Sequence, residues 1–307
     1  MTARLSRWVG SGALLLAALL AASGASAGTI YTFDNINVPN GQQVSIPMWN
    51  NGPPPGFDGW YMPTGGTSVP ASVLTYATVG SVGVAIDPRG GSQVLGEAMT
   101  PAGVGKGTRA QHGFDFSQAS TWSLSFDVLA VTLDTPATAG AYVGGFSVVR
   151  AEQNSSTTSF GTNFIWDSGG TSPTWSFYYF PCDANGASLD GVAPCGNDGV
   201  AVWSGLSQDH WYNEKTIFDS STNEIVMVSL IDLSNDATST YWPTGWYMAG
   251  GAGGTFNANA FRFTGFGPTN AQLIDNVDLE PNPTVPEPAT LLLVGAGLAG
   301  LIRRRRR

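Results

Sequence analysis

Short runs of alternating apolar and polar residues fill the chain between residues 28 and 284. In Trp122–Val128 every second residue is apolar, which places these side chains on one face of a strand and predicts that only this face is buried. Similar runs recur with turn-forming residues between them, and few windows have a helical period. The further predicted strands are Ser72–Tyr76, Val82–Ile86, Tyr142–Val149, Phe160–Trp166, Trp175–Phe180, Glu224–Leu233, Ala260–Phe266 and Gln272–Leu279.

Many short strands at this spacing bury their apolar faces by packing two sheets together or by closing into a barrel. The sequence therefore predicts an all-β fold, a jelly-roll-like antiparallel β-sandwich. No change in composition divides the body of the chain, so we expect one sandwich domain over residues 28–280, preceded by residues 1–27 and followed by residues 281–307.

The N-terminal segment has the pattern of a secretory signal peptide. Arg4 and Arg7 form a short basic region, Val9–Ala22 is almost wholly apolar, and Ala25–Ala27 supplies small residues where a signal peptidase cleaves. We expect signal peptidase to cleave after Ala27. The alternative is an N-terminal anchor that is not cleaved.

The C-terminal tail combines three features in order. The motif Pro286, Glu287 and Pro288 precedes the apolar run Ala289–Ile302, and a cluster of five arginines ends the chain. As a helix the apolar run would be about 21 Å long, shorter than a hydrocarbon core of about 30 Å, so it predicts a short, temporary transmembrane helix. By the positive-inside rule the arginines remain cytoplasmic. These anchoring arginines are Arg303, Arg304, Arg305, Arg306 and Arg307.

This tail resembles the sorting tail of PEP-CTERM proteins. The resemblance implies that a membrane-embedded exosortase recognises the Pro286–Pro288 motif, removes the tail and releases the body to the cell surface or the extracellular space. It also implies a Gram-negative bacterium that makes exopolysaccharide and biofilm matrix. The alternative is a permanent C-terminal anchor.

The body is strongly acidic, which narrows its partners. Of the 13 basic residues, two lie in the signal and five in the tail, which leaves six in the body against 21 acidic residues. Such a surface repels phosphate backbones and anionic lipid, so the composition argues against nucleic-acid binding and against docking on anionic membranes.

Two cysteines, Cys182 and Cys195, lie in turn-forming surroundings of a chain predicted to be exported. An oxidising compartment favours a disulfide between them. A metal site is the alternative, but no further Cys or His stands at zinc-like spacing.

Three segments of the body resemble the concanavalin A-like or laminin-G-like jelly roll: Phe114–Val128, Trp211–Tyr212 with Ile225–Asp232, and Ala271–Leu279. The resemblance implies that the late strand with Ile274–Val277 runs beside an early strand. Some members of this fold are glycosidases, which need two carboxylates about 5 to 10 Å apart.

A catalytic constellation is not predicted. His210 stands near Asp209 and Glu214, but adjacent strand residues point to opposite faces, so a shared site with Asp209 is not expected. His112 has no acidic neighbour in sequence. No paired carboxylates, nucleophile elbow or phosphate loop is found, so we predict no catalytic residues.

Aromatic residues supply the candidate ligand site. Trp60 and Tyr61 lie in a Gly-Trp-Tyr-Met sequence that is repeated at Trp246 and Tyr247. If exposed, these rings could stack on sugars; the alternative is that they pack in the core. A calcium ion is conceivable on the loop oxygens of Asp183, Asn185, Asn197 and Asp198, but no calcium-binding motif supports it, so no cofactor and no metal are predicted.

Together these features predict an exported surface or extracellular-matrix protein, a non-catalytic structural or carbohydrate-binding module with exopolysaccharide as its partner. The alternative is a secreted glycan-active hydrolase on a concanavalin-like fold.

Overall fold

The computed structural model describes residues 29–39, 41–48, 57–63, 69–81, 83–97, 108–132, 137–151, 156–170, 172–189, 195, 199–208, 210–265 and 270–281. Residues Thr29–Asn282 form one compact unit. The predicted signal peptide and sorting tail, with the Pro286–Pro288 motif, the arginine cluster and the transmembrane helix, lie outside the described residues. In the described portion no helix has the length and apolar character that a bilayer crossing requires.

The described strands are β1 (Thr29–Tyr31), β2 (Gln43–Ser45), β3 (Trp60–Tyr61), β4 (Val69–Pro70), β5 (Ser72–Thr75), β6 (Gln93–Glu97), β7 (Thr108–Gly113), β8 (Thr121–Thr132), β9 (Tyr142–Ala151), β10 (Ser156–Trp166), β11 (Thr174–Tyr179), β12 (Val200–Ser207), β13 (Tyr212–Asp219), β14 (Glu224–Asp232), β15 (Ala237–Tyr241), β16 (Ala260–Gly265) and β17 (Asn270–Pro281).

Two sheets make up this unit, as the strand pattern predicts. In the first sheet the strand order is β15-β14-β13-β8-β17-β6-β5-β2, and β1 also pairs with β17. In the second sheet the order is β12-β11-β10-β9-β16-β7-β3, and β4 pairs with β7. All pairs are antiparallel except β4 with β7, so the jelly-roll-like sandwich is confirmed.

A short α-helix (Tyr76–Gly80) and a 3-10 turn (Phe116–Gln118) complete the described elements.

The main core lies between the sheets and is rich in aromatic rings. Phe126 of the first sheet and Phe146 of the second meet edge to face with their ring centroids 5.0 Å apart. Both rings are buried. Alternation along each strand sends these side chains inward, so the residues between them point to the outer faces of the sandwich.

A second, smaller core covers the outer face of the first sheet. Tyr76 and Val79 of the α-helix pack there with Leu129 and Val131 of β8. The expectation that β8 is buried on one face only is therefore wrong, since the helix and the segment after it cover its other face. The strand predicted at Val82–Ile86 is also wrong: the described residues of this segment form no strand, and Val84 packs against the sheet from outside.

The last strand lies beside the first, as the jelly-roll resemblance implies. In β17, Val277 pairs with Tyr31 and Leu279 with Thr29, while the other edge of β17 pairs with β8. The predicted strand Gln272–Leu279 is confirmed and lies inside β17.

Candidate ligand-binding groove

A groove of about 420 Å³ lies on the outer face of the second sheet. Strands β7, β16, β9 and β10 contribute to it, and the segments that follow β11 reach it from one side. The residues that line it are Arg109, Gly145, Phe146, Ser147, Thr158, Ser159, Phe160, Gly161, Thr162, Asn163, Phe180, Cys195, Ala249, Arg262 and Thr264.

Strand register places the polar side chains of the groove next to one another. Arg262 of β16 lies directly between Gln111 of β7 and Ser147 of β9. Phe261 and Phe263 on either side of Arg262 point into the core, so strand alternation sends the Arg262 side chain to the outer face. Its guanidinium Nη2 donates to Ser147 Oγ at 3.5 Å.

The next row across the same strands supplies the second cation. Arg109 of β7 pairs with Thr264 of β16, and Thr264 pairs with Gly145 of β9. Arg109 is two residues from Gln111, so both point to the outer face. The register therefore brings Arg109 and Arg262 onto one face of neighbouring strands, two residues out of register.

Glycines keep the floor of the groove low. A Cβ on Gly145 would clash with the carbonyl oxygen of Thr162, and a Cβ on Gly161 would lie 3.1 Å from the carbonyl oxygen of Phe146. Long side chains on β7 and β16 therefore lie beside β9 and β10, whose side chains on the outer face are small. This difference in side-chain size creates the depression.

The described lining of the groove carries positive charge. Burial and the neighbouring charge of Arg109 lower the pKa of Arg262 to about 10, so the group remains a cation at neutral pH. No Asp or Glu occurs among the described lining residues. Two of the six basic residues of an acidic body therefore share one groove whose described lining holds no carboxylate.

Tyr61 and Gln111 continue the row beyond Arg262. Tyr61 of β3 pairs with Gln111, and Gln111 Nε2 donates to the Tyr61 hydroxyl at 2.6 Å. Burial raises the pKa of Tyr61, while the hydrogen bond from Gln111 and the charge of Arg262 oppose that rise. The Tyr61 hydroxyl is therefore neutral at physiological pH and acts as an acceptor for Gln111.

A disulfide and an aromatic ring border the groove on the β11 side. Cys182 and Cys195 are joined, with their Cα atoms 5.1 Å apart, so the predicted disulfide is confirmed. Cys195 and the half-buried Phe180 both line the groove. The backbone N–H of Phe180 donates to the carbonyl oxygen of Gly161 at 3.1 Å, which fixes the ring beside the floor.

The aromatic site predicted from the Gly-Trp-Tyr-Met repeat is not formed. Trp60 is 0 % exposed and Trp246 is 4 % exposed, and both belong to the core between the sheets. Tyr61 is buried and Tyr247 is half-buried. The core-packing alternative holds for Trp60 and Trp246, whereas Tyr61 is buried on the outer face beside Gln111.

The histidines and Glu214 do not form a site. His210 Nδ1 lies 3.4 Å from Asp232 Oδ2 at the surface, and Asp209 lies outside the described residues. His112 is largely buried, with Nε2 2.8 Å from the carbonyl oxygen of Asp58. Glu214 is buried between the sheets, where it accepts a hydrogen bond from Tyr179 and burial raises its pKa to about 8. Glu214 is therefore a neutral core residue, whereas His210 lies at the surface.

Asp183, one of the conceivable calcium ligands, serves as a turn residue. Its Oδ1 accepts from the backbone N–H groups of Asn185 and Ala187 at 2.8 and 2.9 Å. Asn197 and Asp198 lie outside the described residues. Within the described ranges no group of three or more His, Cys, Asp or Glu side chains is arranged to hold a metal ion.

A second polar cluster lies on the outer face of the first sheet and is closed. Asp127 of β8, Asp275 of β17 and Asp87, two residues before Arg89, are all buried. Arg89 forms an ion pair with Asp127, and Asn276 Nδ2 donates to Asp127 at 2.8 Å. Every carboxylate of this cluster thus has a donor from the protein itself.

Comparisons with known proteins identify the tail. Residues 284–307 match the PEP-CTERM protein-sorting motif, as the sequence predicts, and this motif is typical of exported proteins that an exosortase processes. No curated protein matches the chain.

Solved structures similar to this chain include lectins and an alginate lyase. Winged bean acidic lectin complexed with methyl-α-D-galactose is 11 % identical, with a TM-score of 0.41 over 82 % of this chain and 97 % of that one. Lectin II from Ulex europaeus is 12 % identical, with a TM-score of 0.38 over 61 % and 86 %. The PL-14 alginate lyase from Aplysia kurodai is 11 % identical, with a TM-score of 0.38 over 64 % and 85 %. At these scores the likeness carries no information about ligand or activity.

Proposed function

We propose that the protein is an exported, non-catalytic module that binds a polysaccharide in the groove on the outer face of the second sheet. The sorting tail directs the body out of the cell, and the groove holds a saccharide chain at the cell surface or in the extracellular matrix. The exopolysaccharide of the producing cell is the proposed partner.

The observation that carries this proposal is the chemistry of the groove lining. Arg109, Arg262, Ser147 and Asn163 supply guanidinium, hydroxyl and amide groups that can bond sugar oxygens. Phe180 adds a half-buried ring beside them, and such rings can pack on the apolar face of a sugar. Donors next to a ring in a shallow, open groove suit a polymer that runs past the protein.

The same lining argues against hydrolysis. A glycosidase needs an acid and a second carboxylate across the scissile bond, and the described lining contains neither Asp nor Glu. The buried carboxylates of the molecule, Glu214 and Asp127 among them, lie in the core or on the other sheet. We therefore favour binding over the alternative of a glycan-active hydrolase.

Affinity electrophoresis in a gel that contains the cell's own exopolysaccharide tests this function. The full chain is used in mild detergent with Arg303–Arg307 replaced by glutamine, so that the tail cannot retard the protein by charge alone. We expect retardation without any fall in the viscosity of the polymer. Depolymerisation by the purified protein, or unretarded migration, would contradict the proposal.

The sorting half of the proposal has its own test. We expect Glu287→Gln, or deletion of residues 303–307, to leave the body in the inner-membrane fraction, because the exosortase would not release the tail. Arg150→Gln, a change in the body, serves as the control and should not alter fractionation. Unchanged release of the Glu287→Gln protein would refute the role of the motif.

A further inference from the structure

We infer that the groove selects an acidic saccharide, whose carboxylate or sulfate groups bind Arg109 and Arg262. This inference rests on the proposed function and adds the chemical class of the ligand. It predicts discrimination between a charged polymer and its neutral counterpart with the same backbone.

The first argument is the placement of charge. The body has only six basic residues and 21 acidic ones, yet Arg109 and Arg262 occupy adjacent strands of one groove. Burial, followed by the nearby charge of Arg109, lowers the pKa of Arg262 to about 10. Two guanidinium groups on one face of the sheet present several donors together, and a bound anion would offset their mutual repulsion.

The second argument is the contrast with Arg89. The Arg89 guanidinium is held by a buried aspartate, Asp127, and its charge is used inside the fold. In the groove, Nε of Arg109 is buried and has no hydrogen-bond partner in the described structure. A buried donor of this kind is costly unless a ligand completes it.

The third argument is geometric. A guanidinium offers a planar fork of donors that matches the two oxygens of a carboxylate or sulfate group. Because Arg109 and Arg262 lie on neighbouring strands two residues out of register, their forks can reach acidic groups on one sugar or on two consecutive sugars. Ser147 and Thr264 stand next to them in the same two rows and can bond the hydroxyls.

The acidic surface restricts where such a polymer can bind. Elsewhere on the body the excess of carboxylates repels a polyanion, so binding depends on the groove and weakens as salt screens the arginines. A polyanion that binds in the groove and is repelled by the surrounding surface would bind at this one position, with low non-specific affinity.

Matched polymers provide the test. The full chain, with Arg303–Arg307 replaced by glutamine, is titrated with polygalacturonate and with the same polymer after full methyl esterification, and separately with dextran sulfate and dextran. We expect the charged member of at least one pair to bind at least tenfold more tightly. The pair that discriminates identifies carboxylate or sulfate as the acidic group.

Variants connect the selectivity to the arginines. Arg109→Gln should weaken binding of the charged polymer about 10- to 100-fold, the loss expected for a charged hydrogen-bonding group, while the matched control Arg150→Gln binds as before. Since Arg262 is buried and its loss could disturb folding, Arg262→Lys is used there; it retains the charge, loses the planar fork and should weaken binding to a smaller extent.

The outcomes separate this inference from the proposed function. Equal binding of charged and neutral polymers, or unchanged binding by Arg109→Gln, would overturn the acidic selectivity while leaving a saccharide-binding groove. Retention of the cell's exopolysaccharide with no discrimination between polymers has the same meaning. Absence of binding to every polymer, including the exopolysaccharide, would overturn both.

Discussion

The outer faces of the two sheets carry the same kinds of polar groups in opposite arrangements. On the first sheet three aspartates are buried, and Arg89, Asn276 and backbone N–H groups supply their hydrogen bonds. On the second sheet two arginines share an open groove whose described lining has no carboxylate. On the first face the buried carboxylates receive hydrogen bonds from the protein itself, whereas on the second face Nε of Arg109 has no hydrogen-bond partner among the described residues.

We infer that the polar groups of the first face stabilise the fold, whereas those of the second face serve ligand binding. A buried carboxylate whose oxygens already accept several hydrogen bonds from the protein contributes to the native fold and offers no free acceptor to a ligand. Two neighbouring cations repel each other, and a bound ligand of opposite charge offsets this repulsion. The comparison therefore predicts that mutations on the first face change stability, while mutations on the second change binding.

The largest effect should come from Asp127→Ala. Asp127 is fully buried and accepts from Arg89, Asn213 and Asn276, so its removal leaves several donors without an acceptor. We expect the free energy of unfolding to fall by about 3–5 kcal/mol, as for other broken buried ion pairs. Urea denaturation measures it, with the surface change Asp115→Asn as control. A loss below about 1 kcal/mol would contradict a structural role for this face.

Removal of the disulfide should have the next largest effect. The disulfide joins two cysteines that are 13 residues apart in the sequence, and Cys195 lines the groove. Cys182→Ser with Cys195→Ser should lower the free energy of unfolding by about 2–4 kcal/mol. It should also weaken saccharide binding, because the β11 side of the groove is no longer fixed. Denaturation and titration of the same variant check both effects, and unchanged binding would show that this border does not contribute.

A smaller effect concerns pH on the first face. Burial, together with the charges of Asp87 and Asp34, raises the pKa of Asp275 from 3.8 to about 7, although Tyr76 and a backbone N–H donate to it. The folded state therefore keeps a proton that the unfolded chain has lost, and stability falls as pH rises from about 4 to about 7.

The size and the source of this pH dependence are both testable. One proton contributes at most about 1.4 kcal/mol per pH unit. Asp275→Asn should remove that slope, while the contribution of Glu214, with its pKa of about 8, remains. Urea denaturation at several pH values measures the slopes; identical pH profiles for the native protein and the variant would mean that Asp275 is not the group responsible.

Sequence patterns predicted the sandwich well because its core follows simple alternation. Runs such as Trp122–Val128 and Gln272–Leu279 form strands, and the two cysteines form the disulfide. The segment Val82–Ile86 failed because alternation in a short apolar run does not distinguish a strand from a covering segment. The covered second face of β8 was missed for the same reason, since which elements cover a sheet is decided by tertiary packing.

The candidate site was harder to predict, because the sequence pointed to exposed aromatic residues, whereas the groove is lined by two arginines. Repeated Trp and Tyr residues suggested exposed rings, but rings of this size contribute most to stability when they are buried. A usable signal was present in Phe261-Arg262-Phe263, where alternation demands that the arginine face outward. What the sequence does not contain is the register that places Arg262 beside Arg109, because those residues are far apart in the chain and meet only through the pairing of β7 with β16.

A single paired measurement tests the central claim that the two faces have different roles. Arg109→Gln and Arg89→Gln remove the same charge from opposite faces, and each variant is assayed for urea stability and for binding of the discriminating acidic polymer, in the background with Arg303–Arg307 neutralised. We predict that Arg109→Gln loses at least tenfold in affinity with little change in stability, whereas Arg89→Gln loses stability and keeps its affinity once folded. The reverse pattern, or equal losses of affinity from both variants, would contradict the account.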